Sequence, residues 1–173
     1  MINLSEHIRT IPDFPKPGIL FYDITTLIQN AEAFNASVRQ LADAVKEWGR
    51  IDLVAAPEAR GFIFAAPLAI ELGAGLIPIR KPGKLPFTTV SKSYDLEYGS
   101  NTIQMNSDAV SPGSRVLLVD DLLATGGTME ACRQLITELG GEVVGVACVF
   151  ELLFLKGRDN IGATNIKSLV QYE

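Results

Sequence analysis

Residues 115–128 read RVLLVDDLLATGGT, and this segment decides the fold prediction. It opens with four consecutive apolar residues, 116–119, which is typical of a strand buried on both faces of a sheet. After two acids and a run of small residues, residues 128–139 repeat apolar side chains at helical spacing, which predicts a helix. The inward side chains of this helix are expected to be Met129, Cys132, Ile136 and Leu139. The segment is therefore predicted to be a strand, a turn and a helix start.

The turn carries acids, small residues and hydroxyls, which are Asp120, Asp121, Ala124, Thr125, Gly126, Gly127 and Thr128. Adjacent carboxylates can accept hydrogen bonds from the vicinal hydroxyls of a ribose, and small residues let backbone N–H groups approach a phosphate at the positive end of a helix. The competing interpretation is that Asp121 or Thr128 only caps the helix. Capping needs one such residue, so residues 120–128 favour a ribose-phosphate site. The sequence contains neither G-x-x-x-x-G-K-[ST] nor G-x-G-x-x-G.

Strands and helices alternate along most of the chain. Apolar periodicity predicts helices over residues 31–48, ended by Gly49, and over residues 62–72, ended by Gly73. Apolar runs predict strands at residues 51–56, 75–79, 115–119 and 143–150. The alternation predicts an α/β fold with a mainly parallel central sheet flanked by helices on both faces. Ligands of such sheets bind beyond the carboxyl ends of the strands, so the loops after residues 56, 79 and 119 are expected to converge on one site.

Residues 81–113 interrupt this alternation, because they are rich in Ser, Thr, Tyr, Pro and Gly. Two β-like runs at residues 88–93 and 102–105, separated by a turn at 98–101, predict a protruding β-hairpin or flap. The sequence has no internal repeat and no linker, and 173 residues suffice for one core. A single domain over residues 1–173 is expected.

Composition and charge exclude several classes of function. The net charge of -5 argues against binding of nucleic-acid backbones. Cys132 and Cys148 fall inside apolar runs, which predicts buried thiols and a reducing compartment. His7 is the only histidine, so Ser-His-Asp, Cys-His and histidine-based zinc sites are excluded. Without a signal peptide or an apolar run of 18 residues, the protein is expected to be cytoplasmic, with no membrane partner.

Residues 115–128 closely resemble the phosphoribosyl-pyrophosphate signature of type I phosphoribosyltransferases. Other segments resemble the adenine phosphoribosyltransferases in particular, namely IPDFPKPG at 11–18, EARGF at 58–62, RKPGKLP at 80–86, YDLEYG at 94–99 and LKGR at 155–158. These matches span almost the whole chain in the family's order. The resemblance implies the type I phosphoribosyltransferase fold, with an N-terminal base-binding hood at residues 1–30 and the flap region at residues 81–113.

The resemblance also implies a reaction and its participants. Adenine and phosphoribosyl pyrophosphate would give AMP and diphosphate in purine salvage, with Mg²⁺ carried by the substrate diphosphate and no metal bound directly by the protein. The family forms homodimers, which implies a homodimer here. The diphosphate would be bound by Arg60, Arg80, Lys81 and Lys84, and some of these cations would reach across the dimer interface. Glu97 matches the catalytic acid of the family's flap, next to Tyr98.

The hood of the family corresponds to Leu20, Phe21 and Tyr22. The resemblance implies that backbone groups of Leu20 and Tyr22 recognise the edge of adenine while an aromatic ring covers its face. Such backbone groups would leave the oxo group of hypoxanthine or guanine badly paired. The sequence departs from the family pattern at Pro57 and Ala65, where an aliphatic residue or glycine is common and where glycine is expected, respectively.

Two alternatives remain open at this point. A phosphoribosyltransferase for another base would share residues 120–128 but should lack the hood and the DLEY flap sequence. A regulator that senses phosphoribosyl pyrophosphate without catalysis would usually carry a nucleic-acid-binding element, and residues 1–30 contain no basic recognition helix. The sequence favours the adenine enzyme.

Overall fold

The computed structural model describes residues 2–95 and 100–173. Its strands are β1 Arg9–Pro12, β2 Leu20–Asp23, β3 Leu53–Pro57, β4 Gly75–Ile79, β5 Thr89–Asp95, β6 Ser100–Asn106, β7 Arg115–Leu123, β8 Glu142–Leu152 and β9 Ile166–Tyr172. Its α-helices are α1 Thr25–Gln29, α2 Ala31–Val45, α3 Arg60–Leu72 and α4 Gly127–Glu138. The predicted alternation of strands and helices is confirmed.

Five strands form a parallel sheet in the order β4-β3-β7-β8-β9. The strand β7 lies in the middle, and its residues 116–119 are fully buried. This position explains the uninterrupted apolar run of the sequence, because both faces of a central parallel strand are covered. The prediction of a central strand is confirmed.

The two faces of the sheet pack into two cores. Side chains alternate along a strand, so Leu117 and Val119 join the core of α2 and α3, whereas Val116 and Leu118 join the core of α4. Ile103 of β6 also belongs to the second core, so the hairpin helps to cover that face. Cys132 and Cys148 are both buried, as the sequence predicted. The prediction of a sheet covered on both faces is confirmed.

Local signals explain where the helices begin and end. The side chain of Asn30 caps α2 by accepting a hydrogen bond of 2.9 Å from the backbone N–H of Ala33. The α-helix stops at Val45, and a single 3-10 turn, Lys46–Trp48, completes the predicted segment. The helix α3 ends at Gly73 in the left-handed conformation that glycine adopts readily.

Two antiparallel strand pairs stand beside the main sheet. In the N-terminal region β1 pairs with β2, and the predicted flap is formed by β5 and β6. The hairpin prediction is therefore confirmed, although Ser100 and Asn101, predicted to lie in the turn, belong to β6. Residues 98 and 99 of the predicted turn lie outside the described part of the chain.

Three features of the sheet differ from the sequence prediction. The strand β7 continues to Leu123 instead of ending at residue 119, because it pairs with β8 as far as Leu123 and Glu151. The edge strand β9 was not predicted, since polar residues interrupt its apolar pattern. The strands β1 and β2 were not predicted as a pair for the same reason. Within the described residues, no helix is both long and apolar enough to cross a membrane.

Candidate active site

Side chains from the carboxyl ends of three neighbouring strands meet beyond the sheet. Arg60 begins α3, and its Nε lies 2.9 Å from Oδ2 of Asp121 on β7. Glu58 follows β3, and its two carboxylate oxygens lie 2.8 Å from Nε of Arg80 and 3.0 Å from Nζ of Lys84, which follow β4. The predicted convergence of the three loops is confirmed.

A cavity of about 170 Å³ lies beside the end of β7. It is lined by Arg60, Asp120, Leu122, Leu123, Ala124, Thr125, Gly126, Thr128 and Met129. Most of the residues predicted for the ribose and its phosphate therefore line one cavity. The remaining two adjoin it, because Asp121 follows Asp120 in β7 and Gly127 is the first residue of α4.

The helix α4 begins without a side-chain cap. Gly126 occupies the N-cap position in the left-handed conformation, and no side chain of the described residues caps the helix there. Asp121 lies inside β7, and Thr128 instead donates a hydrogen bond of 3.0 Å to Oη of Tyr94. The interpretation of Asp121 or Thr128 as a helix cap is therefore wrong. The first N–H groups of α4 are available to an anion, which the helix dipole also favours.

Asp120 and Asp121 are adjacent acids whose carboxyl groups influence each other. Burial raises the pKa of both carboxyls, and the adjacent Asp121 raises the pKa of Asp120 further. The Arg60 guanidinium acts in the opposite direction on both groups, but burial outweighs it, so both pKa values remain raised. Oδ2 of Asp121 has no hydrogen-bond donor among the described residues, although Nε of Arg60 is 2.9 Å away, because the direction of the N–H misses it. Asp120 lines the cavity and can accept hydrogen bonds from a ligand there, whereas the unpartnered oxygen of Asp121 is buried beside Arg60.

The position of Arg60 depends on a close approach of α3 to β7. A Cβ atom at Gly61 would lie 3.0 Å from Oδ1 of Asp120 and 3.2 Å from the carbonyl oxygen of Val119. A Cβ atom at position 61 would therefore require the Asp120 carboxylate or the nearby backbone to yield by a few tenths of an ångström. The glycine after Arg60 permits this close approach without such a shift.

The predicted diphosphate-binding cations Arg80 and Lys84 are organised by Glu58. Together with Ala59, Phe62 and Lys81 these residues line a second cavity of about 360 Å³. Burial acts to raise the pKa of Glu58, but hydrogen bonds from Arg80 and Lys84 outweigh burial and lower it. Glu58 therefore remains ionised and holds both cations in place. Sequence reasoning gave Glu58 no role, although its position directly after a predicted strand was an available signal.

The hood residues lie apart from both cavities. Tyr22 packs on Tyr172 with ring centroids 4.2 Å apart and also contacts Phe150, so its side chain belongs to the core. Phe21 meets Phe14 edge to face at 5.1 Å, and Leu20 is largely exposed. The ring available to cover a ligand is therefore Phe21, not Tyr22.

The flap hairpin is docked on α4. Nζ of Lys92 lies 2.7 Å from Oε1 of Glu138, and Tyr94 accepts the hydrogen bond from Thr128. The predicted flap residues Glu97 and Tyr98 lie outside the described residues. The sequence did not predict the contact of Tyr94 with Thr128. The two residues are 34 positions apart, so no local sequence pattern indicates this contact.

Comparisons with known proteins agree with this geometry. Residues 25–172 match the family model described as phosphoribosyl transferase domain. The chain is 52% identical to an adenine phosphoribosyltransferase of Brevibacillus brevis, over 99% of this chain and 100% of that protein. It is 53% identical to an adenine phosphoribosyltransferase of Clostridium botulinum, over 99% of both.

Solved structures give the same result. The adenine phosphoribosyltransferase of Thermoanaerobacter pseudethanolicus is similar with a TM-score of 0.93 and 52% identity, over 98% of this chain and 100% of that one. The adenine phosphoribosyltransferase of Saccharomyces cerevisiae, solved in complex with an imino-altritol bisphosphate and adenine, gives a TM-score of 0.90 at 36% identity over 96% of each chain.

Replacing Asp120 by Asn is expected to stabilise the fold at neutral pH. A carboxyl whose pKa is raised by folding favours the folded state most at acid pH, and this contribution is lost as the pH rises through the folded pKa. At pH 7 the Asn variant should therefore gain roughly 1 kcal/mol in the free energy of unfolding. Chemical denaturation at pH 7 and at pH 4 measures the gain, which should shrink at pH 4. The control is Asp108→Asn, at an exposed turn residue, and a loss of stability in the Asp120 variant at pH 7 would contradict the prediction.

Proposed function

The chain belongs to the adenine phosphoribosyltransferases of the phosphoribosyl transferase family, and we propose that the cavity beyond β7 is where it carries out their reaction. It is a pentosyltransferase of purine salvage, and the reaction converts adenine and 5-phospho-α-D-ribose 1-diphosphate to AMP and diphosphate. The observation that carries the proposed location is a cavity with an acid pair at the end of the central strand and an uncapped helix N-terminus beside it.

The acid pair and the start of α4 have separate roles in this proposal. Asp120 and Asp121 accept hydrogen bonds from the two ribose hydroxyls, supported by the buried oxygen of Asp121 that lacks a donor among the described residues. The segment from Ala124 to Thr128 binds the 5′-phosphate through backbone N–H groups and the hydroxyls of Thr125 and Thr128. The dipole of α4 adds to the attraction of the phosphate.

Four cations bind the diphosphate in this proposal, namely Arg60, Arg80, Lys81 and Lys84. The first lines the ribose cavity and the other three line the adjoining cavity beside Glu58. A leaving diphosphate accumulates negative charge, and cations placed before the reaction stabilise it without reorganisation. The arrangement of the two cavities supports a diphosphate that extends from the ribose toward the basic loop.

Magnesium is proposed to arrive with the substrate diphosphate. Among residues 2–95 and 100–173 there is no cluster of three or more histidine, cysteine or acidic residues that could hold a metal. Mg²⁺ commonly retains several waters and is held by substrate phosphates with one or two carboxylates. This proposal leaves the two carboxylates to the ribose hydroxyls and gives Mg²⁺ its ligands from the diphosphate and water.

Adenine is proposed to bind beside β2, where Phe21 covers its face and backbone groups of Leu20 and Tyr22 recognise its edge. The packing of Tyr22 against the core and the contact of the half-buried Phe21 with the exposed Phe14 support this division between ring and backbone. Backbone recognition discriminates against an oxo group, because a mismatched donor or acceptor is left unpaired.

The test of the function is AMP formation from adenine and phosphoribosyl pyrophosphate with Mg²⁺, run in parallel with hypoxanthine and guanine. We expect product with adenine, rates at least about 100-fold lower with the oxo-purines, and no product in EDTA. Product from hypoxanthine or guanine at a comparable rate would contradict the hood assignment. Binding of phosphoribosyl pyrophosphate without turnover would favour the regulator alternative.

Glu97 is proposed as the catalytic acid of the flap, on the basis of its match to the family. A carboxylate brought over the ring stabilises positive charge on the ribose or manages a proton on the purine. Glu97→Gln is therefore expected to lower kcat by about 100-fold or more while the Kd for phosphoribosyl pyrophosphate changes little. Stopped-time assays measure kcat, and calorimetry measures the Kd for phosphoribosyl pyrophosphate. The control is Glu71→Gln, on the exposed side of α3. Wild-type kcat in the Glu97 variant would remove it from the catalytic role.

A homodimer in the cytoplasm completes the proposal. Lys81 is exposed and lies in the basic loop that the family uses across its interface, which supports a dimer. Light scattering at micromolar concentration is expected to give twice the mass of the chain, and a monomer would contradict it. The free buried thiols of Cys132 and Cys148 suit a reducing compartment, and cell fractionation tests this location.

A further inference from the structure

The loop that lines the ribose cavity rests on a second turn of the chain. This support turn, Gly157–Asn160, is a 3-10 turn between β8 and β9. A Cβ atom at Gly126 would lie 2.2 Å from the carbonyl oxygen of Gly157, and a Cβ atom at Gly157 would lie 2.2 Å from the carbonyl oxygen of Ala124. The two backbones are therefore in direct contact, and neither glycine position has room for a side chain.

The support turn is fixed to the sheet and to α4. Arg158 donates two hydrogen bonds to Glu151 of β8, from Nε to Oε1 at 2.7 Å and from Nη2 to Oε2 at 2.6 Å. Glu151 is fully buried and also accepts a hydrogen bond of 2.7 Å from Ser168 of β9. After the turn, the N–H of Gly162 donates to Oε2 of Glu130 on α4 at 3.0 Å. These hydrogen bonds hold the support turn against β8, β9 and α4.

Asn160, the last residue of the support turn, connects it to the loop that lines the ribose cavity. Its Nδ2 donates a hydrogen bond of 2.8 Å to the carbonyl oxygen of Thr125. The peptide bond between Thr125 and Gly126 is trans, so its N–H points away from its C=O and therefore away from Asn160. No hydrogen-bond acceptor for the N–H of Gly126 is found in the described ranges, 2–95 and 100–173. Thr125 and Gly126 line the cavity, whereas Asn160 does not.

We propose that Asn160 is a positioning residue for the 5′-phosphate, because its side-chain amide holds the peptide between Thr125 and Gly126 with the N–H of Gly126 directed to the phosphate. This inference rests on the proposed function, which assigns the segment from Ala124 to Thr128 to the phosphate. Asn160 is exposed and acts through Thr125 without touching the substrate.

Loss of the amide is expected to weaken phosphate binding selectively. In Asn160→Ala the KM for phosphoribosyl pyrophosphate should rise about five-fold, with kcat and the KM for adenine within about two-fold of wild type. The Kd for AMP should rise by a similar factor, whereas the Kd for adenosine, which lacks the phosphate, should not change. Asn160→Asp preserves the shape but removes the donor, so it should lose at least as much affinity for AMP.

The matched control is Asn165→Ala. Nδ2 of Asn165 also donates to a backbone carbonyl, that of Val144 at 3.1 Å, but at the opposite end of the sheet. This variant removes the same kind of hydrogen bond and should leave both KM values and the Kd for AMP unchanged. Thermal unfolding of all variants shows whether the fold is equally stable.

The outcomes separate this inference from the proposed function. Unchanged KM and Kd values in Asn160→Ala, in an enzyme that binds AMP more tightly than adenosine, would overturn the positioning role and leave the phosphate site intact. Equal losses for AMP and adenosine, with a lower unfolding temperature, would show a general structural role and would also overturn it. A wild-type enzyme that binds AMP no more tightly than adenosine would overturn both proposals.

Discussion

The ion pair between Arg60 and Asp121, with Asp120 next to it in β7, is the contact on which the candidate site depends. Asp120 and Asp121 lie in the second half of β7, directly after the fully buried residues 116–119, and burial raises the pKa of both. Adjacent like charges in a low-dielectric environment repel, so the pair destabilises the fold when both are ionised. Arg60 offsets part of this cost, and Gly61 allows the close approach of α3 to β7 that places it there. Titratable groups that destabilise the fold but are nevertheless present are typical of functional sites.

The same strand fixes the phosphate loop relative to the acids. Only residues 124–126 separate the end of β7 from the start of α4. A connection this short leaves the helix N-terminus no freedom to move away from the carboxylates. Hydrogen-bond acceptors for hydroxyls and donors for an anion are therefore presented side by side, one from the strand and the other from the helix. In the proposed function this juxtaposition gives affinity for a phosphorylated sugar, because groups positioned before binding need little reorganisation.

The sequence predicted the elements that a local residue pattern specifies. It missed the features that depend on contacts between distant parts of the chain. The run at residues 116–119 identified β7 because central burial excludes polar residues. It could not show that β7 continues to Leu123, since pairing with β8 outweighs the acids in that stretch. The strand β9 escaped prediction because an edge strand tolerates polar side chains. The signature at residues 120–128 located the cavity, but the contacts of Tyr94 and Asn160 with that loop join distant parts of the chain.

Glu58 organises the cations of the proposed diphosphate site. It is mostly buried, its pKa is lowered, and it holds Arg80 and Lys84 at ion-pair distance. Cations on an exposed loop would otherwise adopt many conformations, and ordering them would cost binding energy. The ion pairs are partly exposed and therefore weak, so an incoming diphosphate with several negative charges can compete for the same cations. In the proposed site, Glu58 thus lowers the entropic cost of binding at a small cost in electrostatic competition.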